Sequence, residues 1–215
     1  MATLNLNREQ LRPRLSHKSP RDAILRVLIV LLTVILAGCN DVTLHWQEDA
    51  DVNDELRVLV ERTADGEKYS ELGGPKAWKQ SEMTVEVFDI SGRVAPLPPK
   101  WVGTAVPMIL DYEQEAGTWS LIATFSSCES WYEAGRPRPP YLEYQSKNGG
   151  HWTPVALEER FLEKKANLLA GPRADGEPRL GWDTEKGRRG RSAAPIFQSV
   201  LRTWGKEQEN YCDTY

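Results

Sequence analysis

Histidine and cysteine are scarce in this 215-residue chain, with three of each. His17, His45 and His151 stand far apart, so none of them belongs to the clustered ligand set that a zinc site needs. Cys39, Cys128 and Cys212 include no C-x-x-C pair, which leaves dithiol redox chemistry without its motif. The chain also lacks a G-x-S-x-G elbow, a phosphate-cradling glycine loop and an H-E-x-x-H helix. No metal and no cofactor is therefore expected. Long apolar runs are missing too. The stretch from Ala23 to Gly38 is broken by Arg26 and falls short of the roughly 20 residues that cross a bilayer. Positive charge is in deficit, with 27 basic against 31 acidic residues. That balance argues against nucleic acid, whose affinity rests on neutralising phosphates.

What is present begins near the N-terminus. Val27 to Ile35 is apolar and follows a lead carrying Arg8, Arg12, Arg14, Lys18, Arg21 and Arg26. A basic lead, a short apolar core and small residues at the end make a secretory signal. The run closes with Leu36-Ala37-Gly38-Cys39. These four residues resemble the lipobox of bacterial lipoproteins, a likeness confined to the first forty or so residues. The resemblance implies removal of a signal peptide spanning 1–38, a diacylglycerol thioether on Cys39, and usually a third acyl chain on its amine. Each buried methylene adds about 0.8 kcal/mol, so two or three chains make a lasting anchor in the lipid bilayer. Asn40 follows the cysteine, where enteric lipoproteins retained at the inner membrane carry Asp. By that family rule the outer membrane, facing the periplasm, is favoured over the inner one.

Cleavage before Cys39 would leave 177 residues, enough for one domain with a real core. Taking six basic and two acidic residues away leaves 21 and 29, a net charge of about −8. Cys128 and Cys212 then remain, and an oxidising envelope compartment invites a disulfide between them. Two buried free thiols are the alternative.

Residues 39–54 read as a lipidated N-terminus and an acidic tether, carrying Glu48, Asp49, Asp51 and Asp54. Residues 55–215 read as a single β-rich domain. Leu56, Val58 and Val60 alternate with polar residues, as do Met83, Val85 and Val87. Val106, Met108, Leu110 and Tyr112 should share one strand face, and Trp119, Leu121, Ala123 and Phe125 the next, joined by a hairpin over 113–118. Asn148-Gly149-Gly150 signals a tight turn. Helices are expected after Thr153-Pro154, where Leu157, Phe161, Leu162, Leu168 and Leu169 form a stripe, and from Ser192 through Trp204. The fold class is mainly β (α+β): an antiparallel sandwich or curled sheet with one or two packed helices near the C-terminus.

The available carboxylate pairs are Asp111 with Glu113, expected in solvent, and Glu158 with Glu159. A pocket joining Asp111 or Glu158 to His151 would support a hydrolase. The basic stretch from Gly171 to Arg191 reads as a solvated loop. All eight Trp lie after Cys39, and Trp101, Trp131 and Trp152 border turns or connectors. They are the candidate binding surface, because indole rings stack on sugars and anchor interfaces. The leading expectation is an anchored, non-enzymatic module for an envelope protein partner. A module for a small ligand or glycan such as peptidoglycan is the alternative.

Overall fold

A computed structural model describes residues 41–53, 56–70, 76–93, 96–171, 179–180, 195–203 and 212. Residues 1–40, where the signal peptide and Cys39 lipidation are expected, and the basic stretch except 171 and 179–180, lie outside the described residues. Among the described residues two sheets form, mainly antiparallel. The first, sheet A, joins β1 (Asp41–Asn53), β2 (Leu56–Ser70), β3 (Lys76–Phe88) and β4 (Trp101–Gly103), with β9 (Arg179–Leu180) in parallel beside β1. The second, sheet B, is β5 (Val106–Glu113), β6 (Thr118–Thr124), β7 (Tyr141–Lys147) and β8 (Thr153–Val155).

The sandwich follows from two-residue alternation. Val58 and Val60 on β2 with Met83, Val85 and Val87 on β3 are buried, as the pattern requires. They share a core with Leu110, Tyr112, Trp119, Leu121 and Ala123 of sheet B. β6 is buried along its whole length because sheet B is covered on both faces. Its outer face carries a second, smaller cluster of Met108, Ile109, Ile122, Tyr141, Phe161, Ala166 and Val200. Met108 leaves the expected face because a register shift between Pro107 and Ile109 inserts one residue into β5.

Both expected hairpin turns form. Gly117 adopts φ 58° before β6, and Asn148 and Gly149 adopt φ 50° and 72° after β7. A Cβ on Gly149 would stand 3.0 Å from Pro96 Cβ and 3.1 Å from the Leu97 carbonyl oxygen. Gly149→Ala is therefore expected to cost about 1–2 kcal/mol, from left-handed backbone alone, read as a lower thermal midpoint.

Two expectations need correction. Asp41 to Asn53 is not a tether but strand β1, and the compact unit starts at Asn40 rather than at residue 55. The acidic composition masked an alternation in which Trp46, Glu48, Ala50 and Val52 turn inward. The helices are also absent from the described parts of their segments. Thr153–Val155 pairs with β7, and only a 3₁₀ turn at Glu159–Phe161 follows. The apolar residues there serve two cores, since Phe161 joins the second cluster and Leu168 and Leu169 the first. A helix would put them on one stripe, and Glu163 at φ 66° breaks it. In the C-terminal segment a 3₁₀ turn at Pro195–Phe197 leads into a bridge between Ser199 and Lys165.

A regular helix, α1, forms instead at Cys128–Glu133, capped by Ser127, whose side chain accepts the Ser130 N–H. Its first residue is bonded to Cys212 with the Cα atoms 5.3 Å apart, which ties the C-terminal end to the domain.

Candidate functional site

The three tryptophans singled out by sequence do not form an exposed platform. Trp101 is 2% exposed and meets the Tyr144 ring edge-on at 5.4 Å. Trp131 is fully buried in α1, and Trp152 is half-buried against the main core. The indole N–H groups of Trp131 and Trp152, and of Trp119, bond carbonyls in proline-rich connectors. Trp131 donates to Pro137 at 3.1 Å and Trp152 to Pro99 at 2.7 Å, while Trp119 donates to Pro96 at 3.2 Å. Proline connectors leave carbonyls without ladder partners, and an indole at a core edge can satisfy one. These rings therefore hold loops onto the sandwich.

Asp111 is not in solvent. Its side chain, 8% exposed, accepts from Arg160 Nη1 at 2.9 Å and from Lys164 Nζ at 2.5 Å. Arg160 also reaches Ser120 Oγ at 3.4 Å and Glu158 at 2.6 Å. Gln145 Nε2 then bridges Glu158 and the buried Glu143, at 2.8 and 2.9 Å. The hydrogen bond from Arg160 holds the Glu158 carboxyl below its ordinary range. Register makes this network, because Asp111, Ser120 and Gln145 stand side by side across β5, β6 and β7. Asp111 and Glu158 do meet, at a guanidinium rather than at His151, which stays exposed in its turn. Glu113 and Glu159 are exposed. The arrangement clamps the 158–164 segment over sheet B.

Sequence reading missed a second polar centre. Glu48 and Arg62 are completely buried and paired at 2.9 Å inside the main core. Arg62 Nη1 also donates to the Leu169 carbonyl at 2.7 Å, and the Leu169 N–H donates back to Glu48 at 2.8 Å. Trp46 Nε1 adds a bond to Glu48 at 3.3 Å, and its ring lies 5.0 Å from the guanidinium carbon. Burial pulls the Arg62 pKa down against the opposing pull of Glu48, and a guanidinium keeps its proton in proteins. One signal was legible. Each residue interrupts an otherwise apolar inward series, Trp46-Ala50-Val52 on β1 and Val58-Val60-Ala64 on β2.

The outer face of sheet A offers a different chemistry. Register sets Glu61 opposite Glu86 and Asp65 opposite Glu82, with Thr63 opposite Thr84 between them. Like charges directly opposite are unfavourable, and neighbours moderate them. Gln47 donates to Glu61 at 3.0 Å, Lys100 pairs with Glu86 at 2.8 Å, and Thr43 donates to Asp65 at 2.5 Å. Val102 and Phe88 add apolar surface, 52% and 38% exposed. His45, on β1, stands on this face beside Glu61.

Among the described residues no group of three His, Cys, Asp or Glu side chains could hold a metal ion. A shallow polar groove lies between the β2–β3 end and α1, crossed by a Lys79–Glu129 ion pair at 2.6 Å. The chain matches no family model, no curated protein and no solved structure.

Proposed function

We propose that this chain is a lipid-anchored lipoprotein of the bacterial envelope whose β-sandwich serves as a protein-interaction or assembly module. The observation that carries the reading is the junction of signal and fold. Leu36-Ala37-Gly38-Cys39 ends the apolar run, and β1 opens at Asp41. One residue, Asn40, would then separate an acylated cysteine from the sheet, and Asn40 favours the outer membrane by the enteric rule. The bond between Cys128 and Cys212 accords with an oxidising compartment. The outer face of sheet A supplies the surface, because it presents Val102 and Phe88 beside paired carboxylates. A partner protein bearing basic side chains would complement that charge. The glycan reading loses its motivation with Trp101 and Trp131 buried.

Crosslinking in living cells, with the tagged chain recovered and its partners identified by mass spectrometry, tests this. One dominant envelope protein is expected, lost on Val102→Asp or Glu86→Lys but retained on Glu113→Lys in the exposed hairpin. Labelling with an acyl probe should mark the chain and fail on Cys39→Ser. Recovery of the same proteins by all three surface variants would remove the sheet face from the proposal. Absence of label on the wild-type chain would remove the anchor.

A further inference from the structure

We propose that residues 195–201 form a latch over the outer face of sheet B, held shut by the Cys128–Cys212 disulfide and released when a dithiol reduces that bond. The inference is independent of the lipid anchor.

Two irregular segments, 157–166 and 195–201, pack against the outer cluster of sheet B. They are joined by backbone bonds: Glu163 N–H to the Val200 carbonyl at 2.6 Å, Ala166 N–H to Gln198 at 2.8 Å, and Val200 N–H to Lys164 at 3.0 Å. Beneath them Tyr141 acts as the catch. Its hydroxyl donates to the Ser199 carbonyl and accepts from the Leu201 N–H, each at 3.1 Å. Burial pushes this phenol's pKa up, so it stays a donor at neutral pH. Val200, fully buried, is the apolar plug, while Ile196 and Leu201 pack at its edges.

So small a contact sits at the low-stability end of a fold. What favours closure is tethering. Cys212 lies eleven residues beyond the latch and is fixed to α1, so the latch is anchored to the domain on both sides in sequence and recloses as an intramolecular event. Reduction removes that restraint. Cys128 is the less buried cysteine, whereas Cys212 is 5% exposed. A thiolate of the dithiol attacks Cys128 Sγ and expels Cys212 as thiolate, which takes up a proton. The second thiol then displaces Cys128, which is protonated in turn. The reductant leaves as a disulfide, having supplied two electrons and two protons. Opening withdraws Val200, with Ile196 and Leu201, from the outer cluster and uncovers the Tyr141 hydroxyl.

Hydrogen exchange on the full-length chain in detergent micelles, oxidised and after dithiothreitol, tests the latch. The amides of Glu163, Ala166, Val200 and Leu201 should exchange about tenfold faster or more after reduction, while Leu121 and Ile122 of β6 stay protected at the same labelling times. Tyr141→Phe removes the catch with the disulfide intact and should accelerate the same four amides. Unchanged rates at those amides after reduction would overturn the proposal. So would loss of β6 protection in step with them, provided Tyr141→Phe also leaves the four amides unmoved.

Discussion

Replacing Arg62 by methionine is expected to destabilise the domain by about 3–5 kcal/mol, the range for removing one partner of a buried ion pair. The cost does not come from lost attraction alone. Desolvation of two charges offsets much of the Coulomb gain, and Arg62 Nε has no hydrogen-bond partner among the described residues. What the variant leaves behind is the penalty: a Glu48 carboxylate at zero exposure with no cation, and a Leu169 carbonyl without its donor. Adding Glu48→Gln to the same chain is expected to recover part of the loss. The neutral amide removes the uncompensated charge, and its oxygen still accepts from the Leu169 N–H. Urea unfolding checks both, with a lower midpoint at unchanged slope for the single variant. A double variant no more stable than Arg62→Met would mean that charge burial is not the cause.

The second large effect is expected at Asn167, whose carboxamide stands in for a peptide group where the two sheets meet. Its Oδ1 accepts from the Leu110 N–H at 2.9 Å, and its Nδ2 donates to the Leu110 carbonyl at 2.6 Å and the Asp51 carbonyl at 2.5 Å. One side chain therefore occupies the edge of β5 and bridges to β1. Asn167→Ala orphans these backbone groups and is expected to cost about 2–4 kcal/mol, less where water reaches them. The near-isosteric Asn167→Asp should cost at least as much. A carboxylate would keep the Leu110 N–H but set an acceptor against two carbonyl oxygens. Thermal midpoints of the two variants decide this. An aspartate variant close to wild type would show that the donor side of the amide contributes little.

Alternation made most strands legible before any coordinates, because residues two apart on a half-buried strand share one environment. Val58 and Val60, Val85 and Val87, and Trp119 and Leu121 all point where the period places them. Turn chemistry was equally local, as Gly117, Asn148 and Gly149 show with their positive φ. Other elements were not legible. β1 was hidden because Glu48 looked like tether charge until a cation on the next strand was known to meet it. The stripe from Leu157 to Leu169 suited a helix, yet its members divide between two cores on opposite faces of sheet B. Of the tryptophans near turns, Trp131 and Trp152 use their N–H groups on connector carbonyls, and Trp101 is buried against Tyr144.

Local pattern thus determined the β class and the hairpin turns, because each rests on neighbours in the chain. Tertiary structure decided the rest: which charges are buried together, which aspartate is clamped by Arg160 and Lys164, and which face of sheet A stays open. Those depend on register and on contacts across 14 residues for Glu48 and Arg62 and 121 for Glu48 and Leu169. No short-range period records such distances, since the free energy of a buried polar group is set by whatever partner the completed fold brings to it.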